Sequence, residues 1–141
     1  MKIQLRELRR IVREAIGRAP TPDQRAASAE REVKDLMRYL RPDRVERLTP
    51  EEWNRRAERL KALAAYMSSN PKTGLDEVGM MLSVFVSSVN DAREMAEFWN
   101  RPSFLGKSKW ESDFSTALET ASATGTEFIE TIKKYRRLRD L

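Results

Sequence analysis

The stretch 74–99 constrains the fold more than any other part of the chain. Leu75, Val78, Leu82, Phe85, Val89, Ala92, Ala96 and Trp99 recur at the spacing that gathers residues on one side of an α-helix. Met80, Met81, Val84 and Val86 widen the apolar surface around its middle. A helix apolar on most sides must be covered by others, so the pattern predicts a central helix near 74–99 in an all-α bundle. The uncharged run 78–90 falls short of the ~20 residues that span a bilayer, and Ser, Gly and Asn interrupt it. A strand over 81–89 would have β-branched support but no partner strand elsewhere.

Covering helices are announced by their start signals. Thr21-Pro22-Asp23-Gln24 combines a capping threonine, a proline suited to the first helical position and a glutamine placed to complete a capping box. Ala26, Ala29, Val33, Leu36, Met37 and Leu40 come next as its apolar stripe, and Arg41-Pro42 ends it. Residues 43–48 read as one short helical turn with Val45 and Leu48 inward. Thr49-Pro50-Glu51-Glu52 repeats the start signal ahead of Trp53, Ala57, Leu60, Ala64 and Met67, with Leu63 beside them. Thr73 with Asp76, and Ser108 with Glu111, predict two more caps. The long last helix then carries Trp110, Phe114, Leu118, Ala121, Gly125, Phe128, Ile132 and Tyr135 on one face. Gly125 is expected either to admit a close neighbour or to bend the helix.

Residues 2–17 form a further amphipathic stretch, with Leu5, Leu8, Ile11, Val12, Ala15 and Ile16 opposite Lys2, Arg6, Arg9, Arg10 and Arg13. Gly17 and Pro20 separate it from the rest of the chain. The organisation expected is a basic N-terminal helix at 1–18, available as a docking arm, and a bundle domain at 21–141. The total is about five helices.

The chain has no cysteine and no histidine. Disulfides, thiolate metal sites, His-ligated metals and Ser–His or Cys–His nucleophile systems are therefore excluded. Gly106-Lys107-Ser108 is not a phosphate loop, because Arg101 stands where the motif needs glycine. The acidic residues of the middle show no calcium-loop spacing. No enzyme activity, cofactor or metal is expected. No secretory leader is visible, which suits a cytoplasmic protein.

Charge is segregated along the chain. Lys and Arg exceed Asp and Glu by 6 over residues 1–61 and by 4 over 133–141, whereas residues 62–132 are net −5. This reads either as complementarity within or between subunits or as attraction to an anionic partner. Two groups are candidate sites. Leu5, Leu8, Val12 and Ile16, with Arg6, Arg9, Arg10 and Arg13, would dock into a partner groove. Lys133, Lys134, Arg136, Arg137 and Arg139 either complement the negative end of a helix or bind an anion.

From Met1-Lys2 to Glu14-Ala15 the chain resembles the N-terminal leaders of internal and minor head proteins of large tailed phages. Those leaders begin Met-Lys, form a short amphipathic helix and are cut by a prohead protease after the Glu of Ile/Leu-x-Glu. The matching residues are Val12, Arg13, Glu14 and Ala15, with Val12 departing from the usual Ile or Leu. The resemblance covers residues 1–16 and implies delivery into a phage head or docking to a virion shell. The sequence as a whole leads to a non-catalytic helical protein acting by protein–protein contact, expected as a homo-oligomer or assembly component, in the cytoplasm or a virion. The alternative is nucleic-acid binding through the basic N- and C-terminal helices.

Overall fold

A computed structural model describes residues 20–99 and 107–139, with side chains over 20–97 and 109–138. Among the described residues there are four α-helices: α1 (Pro22–Met37), α2 (Pro50–Ser68), α3 (Leu75–Trp99) and α4 (Lys107–Arg139). A 3-10 turn, Val45–Arg47, lies between α1 and α2. The count is one below the five expected, and the helix expected over 2–17 lies outside the described residues. No strand occurs among the described residues, and no helix there is long and apolar enough to cross a membrane.

The predicted caps fare differently. Thr21 forms the full box: Gln24 N donates to Thr21 Oγ1 at 3.1 Å and Thr21 N donates to Gln24 Oε1 at 2.9 Å. Thr49 accepts from Glu52 N at 3.2 Å, but the Glu52 carboxylate turns to Arg56, 3.2 Å away, and leaves the box half made. At α3 the expected Thr73 cap is replaced by Gly74. Its carbonyl accepts from Val78 N at 3.4 Å, and its φ of +85° is a conformation that suits glycine. At α4, Lys107 is already helical, so Ser108 stands inside the helix rather than before it.

Cross-links between helices fix an up-down-up-down topology. Arg56 near the start of α2 reaches Asp35 near the end of α1, and Trp53 Nε1 donates to Asn90 Oδ1 late in α3 at 3.1 Å. Trp110 Nε1, early in α4, donates to Met95 O late in α3 at 3.2 Å. Tyr135 at the end of α4 returns to Asp23 at the start of α1. Helices α1 and α3 are thus diagonal, with α2 and α4 between them.

The core is the set of stripes the periodicity marked. Leu36, Leu60, Met67, Leu75, Leu82, Phe85, Phe128 and Ile132 are fully buried, and Trp53 is buried with them. Helix α3 is less enclosed than its composition suggests: Val86 is buried, whereas Met80 and Val84 are 63% and 46% exposed. The two lie four residues apart, outside the broad face that α2 and α4 cover.

Two mid-helix glycines set how closely helices meet. A Cβ on Gly79 would lie 2.6 Å from Ser68 N and 2.7 Å from Ala64 O, so α3 touches the backbone of α2 there. A Cβ on Gly125 would meet side chains instead, Met37 Sδ at 2.8 Å and Phe85 Cε1 at 3.0 Å. Helix α4 runs through Gly125 without interruption, so close approach rather than a bend explains this residue.

Length mismatch explains the segment between α1 and α2. With 33 residues α4 spans roughly 50 Å, and α1 with 16 residues spans roughly 24 Å. Beyond Met37 the corner opposite α3 would stand open. The connection fills it with Leu40, Val45 and Leu48, all buried. Arg93 of α3, 5% exposed, secures the filling by donating from Nη1 to Leu48 O at 2.9 Å while pairing with Glu97.

Candidate functional site

The docking residues proposed for the N-terminal segment, Leu5, Leu8, Val12, Ile16, Arg6, Arg9, Arg10 and Arg13, lie outside the described residues, as does the stretch resembling a phage leader. The C-terminal cations are divided by the fold. Arg136 Nη1 donates to Glu30 Oε2 at 2.9 Å, fastening α4 to α1. Lys134 lies 3.8 Å from Glu77 on α3, with both side chains more than half exposed, a geometry that contributes little. Lys133 and Arg137 are exposed and make no ion pair among the described residues. They stand four residues apart, neighbours on a helix surface. Arg139 ends α4, and its side chain is outside the described set. Of the five cations, Arg136 is therefore tied inward, Lys134 is loosely paired at the surface, and Lys133 and Arg137 are open to a partner.

The pole where α1 begins holds the tightest polar cluster. Tyr135 Oη donates to Asp23 Oδ1 at 2.7 Å, and Lys72 Nζ lies 3.3 and 3.5 Å from the two Asp23 oxygens. Burial, then the Asp23 hydrogen bond, pushes the Tyr135 hydroxyl above the usual tyrosine range. Hydrogen bonding to Tyr135, then to Asp23, raises the Lys72 ammonium. Beside this cluster the Arg25 guanidinium lies 3.8 Å from the centre of the Tyr66 ring, a cation–π contact between α1 and α2. The group joins three helices. Its chemistry is that of a clasp.

Arg56 plays the same part at the other pole. Its Nη1 donates to Asp35 Oδ2 at 2.8 Å, with Glu52 at 3.2 Å and Glu32 at 3.7 Å. Burial lowers its pKa, but the Asp35 hydrogen bond and the three carboxylates outweigh this and leave it raised. These partners are split between α1 and α2, so the charges hold helix to helix.

Several clefts indent the described surface, and two of them bear on the helix contacts above. One, about 370 Å³, lies between α2 and α3 and is lined by Trp53, Asn54, Lys61, Ser83, Ser87 and Asn90 among others. The other, about 290 Å³, lies between the α1–α2 connection and α4, with Pro42, Ala96, Trp110 and Phe114 as apolar lining and Glu46, Glu111 and Ser115 as its polar groups. The Trp110 and Phe114 rings stack at 4.8 Å with their planes 17° apart. Among the described residues no group of three or more Asp or Glu side chains is arranged to hold a metal ion.

One basic group went unrecognised in the sequence. Arg38, Arg41, Arg44 and Arg47, all on the α1–α2 connection, are exposed and make no ion pair among the described residues. Their three-residue spacing was the available signal. It differs from the four-residue steps of an α-helix and matches a 3-10 path, on which residues three apart lie over one another. No protein-family model matches this chain, and neither curated proteins nor solved structures gave a match.

Proposed function

We propose that this is a non-catalytic helical protein that works by protein–protein contact, as an assembly or structural component that self-associates. The observation that carries this reading is the use made of the charged side chains. Asp23–Lys72–Tyr135, Arg56 with its three carboxylates, Arg93 bonded to Leu48 O and Arg136–Glu30 each fasten one element to another. The helices are built to hold a shape. Residues 1–18 act as a docking arm, with Leu5, Leu8, Val12 and Ile16 entering a partner groove and Arg6, Arg9, Arg10 and Arg13 setting orientation. The complete box at Thr21 supports this, because it gives α1 a start signal of its own. A cytoplasmic or virion location belongs to the same proposal.

The test is size-exclusion chromatography with light scattering at low and high salt, with and without residues 1–18. Self-association that survives high salt and weakens without the arm is the expected result. A monomer in all four conditions removes the assembly reading. A second reading, nucleic-acid binding through the basic ends, is favoured by Lys133 and Arg137, exposed and without an ion pair among the described residues. It predicts retention on nucleic acid that falls steeply as salt rises.

A further inference from the structure

Part of the connection between α1 and α2 is built from i→i+3 backbone bonds. Arg44 N donates to Arg41 O at 3.0 Å and Arg47 N donates to Arg44 O at 2.9 Å, so the backbones of these arginines are linked in series. Leu48 N donates to Val45 O at 3.1 Å in the same manner, and that pair is buried. Val45 and Leu48 face the core, whereas Arg41, Arg44 and Arg47 are exposed, with Arg38 three residues before them. Asp43 and Glu46 are exposed as well, and Glu46 lines the cleft beside Trp110. These two carboxylates are close in sequence, yet neither pairs with the arginines.

We propose that Arg41, Arg44 and Arg47 form a binding surface for the phosphate backbone of nucleic acid, read without regard to base sequence. The surface shares its ligand class with the second reading above but rests on different residues at the opposite pole. The 3-10 turn is Val45–Arg47, and the turn before it carries the i→i+3 bonding back to Arg41; residues three apart at 3-10 rise are separated by roughly 6 Å, the scale of neighbouring phosphates on one strand. Each guanidinium offers a planar fork that suits two phosphate oxygens. Val45, Leu48 and the Arg93 bond to Leu48 O fix the path from beneath, so little ordering of the backbone is left for binding. Trp110 and Phe114 beside the connection are 7% exposed and stacked on each other, so neither is offered as a platform for bases, and the contacts proposed are to the backbone.

The experiment measures binding of the full chain to a short labelled DNA duplex of mixed sequence across a salt series. The variants are R41Q/R44Q/R47Q, R41K/R44K/R47K and K133Q/R137Q. The glutamine triple variant is expected to bind at least about ten-fold more weakly near 0.1 M salt, with a log–log salt slope shallower by about 3. The lysine triple variant keeps the charge and should retain most of that slope. Because these side chains are exposed and make no ion pair among the described residues, the thermal midpoints of both triple variants should match the parent. The proposal is overturned if the glutamine triple variant binds like the parent while K133Q/R137Q abolishes binding. It is equally overturned if the parent does not bind the duplex, or if a polyglutamate peptide displaces the duplex at equal charge concentration, which would make the ligand an acidic protein surface.

Discussion

Gly79 and Gly125 both stand inside long helices, where glycine is less favourable than alanine by about 1 kcal/mol, yet they meet their neighbours in opposite ways. At Gly79 the nearest atoms across the gap include the main chain of α2, held in place by its own helix. At Gly125 they are the tip of Met37 and the edge of Phe85. A contact between main chains has no rotamer with which to yield, whereas a methionine has three rotatable bonds. The α2–α3 seam is therefore rigid by construction. The seat of α1 on α4 is adaptable, and polar clasps at its ends hold it.

The largest effect expected from this contrast is that of Gly79→Ala. Overpacking against fixed atoms should outweigh the gain in helix propensity and destabilise by about 2–3 kcal/mol, on the order of 10 °C in Tm by thermal unfolding. A variant as stable as the parent would break the comparison. An intermediate effect is expected for Tyr135→Phe, which removes one clasp of the adaptable side. Loss of a hydrogen bond to a partly exposed carboxylate should cost about 1 kcal/mol in denaturant unfolding.

The same variant has a pH signature. Tyr135 and Lys72 both hold their protons more tightly in the folded protein than in the unfolded chain. Their contribution is complete below about pH 10, the ordinary tyrosine value, and is lost as pH climbs through the raised values. The parent should lose stability above about pH 10 more steeply than Tyr135→Phe, and equal slopes would remove Tyr135 from the effect. The smallest change is expected for Gly125→Ala. Helix propensity gains about 1 kcal/mol and crowding of Met37 and Phe85 takes back a similar amount, so the midpoint should stay near the parent's. Damage equal to that of Gly79→Ala would show that this side is as unyielding as the other.

The amphipathic stripes of all four described helices were legible in the sequence, because the period that places Leu75, Phe85 or Phe128 inside is local. So was the Thr21 cap, whose partners lie three residues apart. Gly79 was not legible, since what makes it necessary is the backbone of Ala64 and Ser68 arriving from another helix. The periodicity of α3 did not reveal that Met80 and Val84 stay outside, because the reach of neighbouring helices decides that. The candidate basic residues divided for the same reason. Arg136 finds Glu30 across 106 positions of chain, a pairing that no spacing rule describes, and Lys133 meets no carboxylate among the described residues. The arginines of the connection were visible one by one, but a 3-10 path was needed to make them a row.

The Asp23–Tyr135 bond also brings the first turn of α1 and the last turns of α4 to a common end of the molecule. A purification handle joined directly to residue 20 or to residue 139 would emerge from that end, crowding one apex and leaving the other clear. Immobilised by either handle, the protein would present its arginine row outward to whatever flows past.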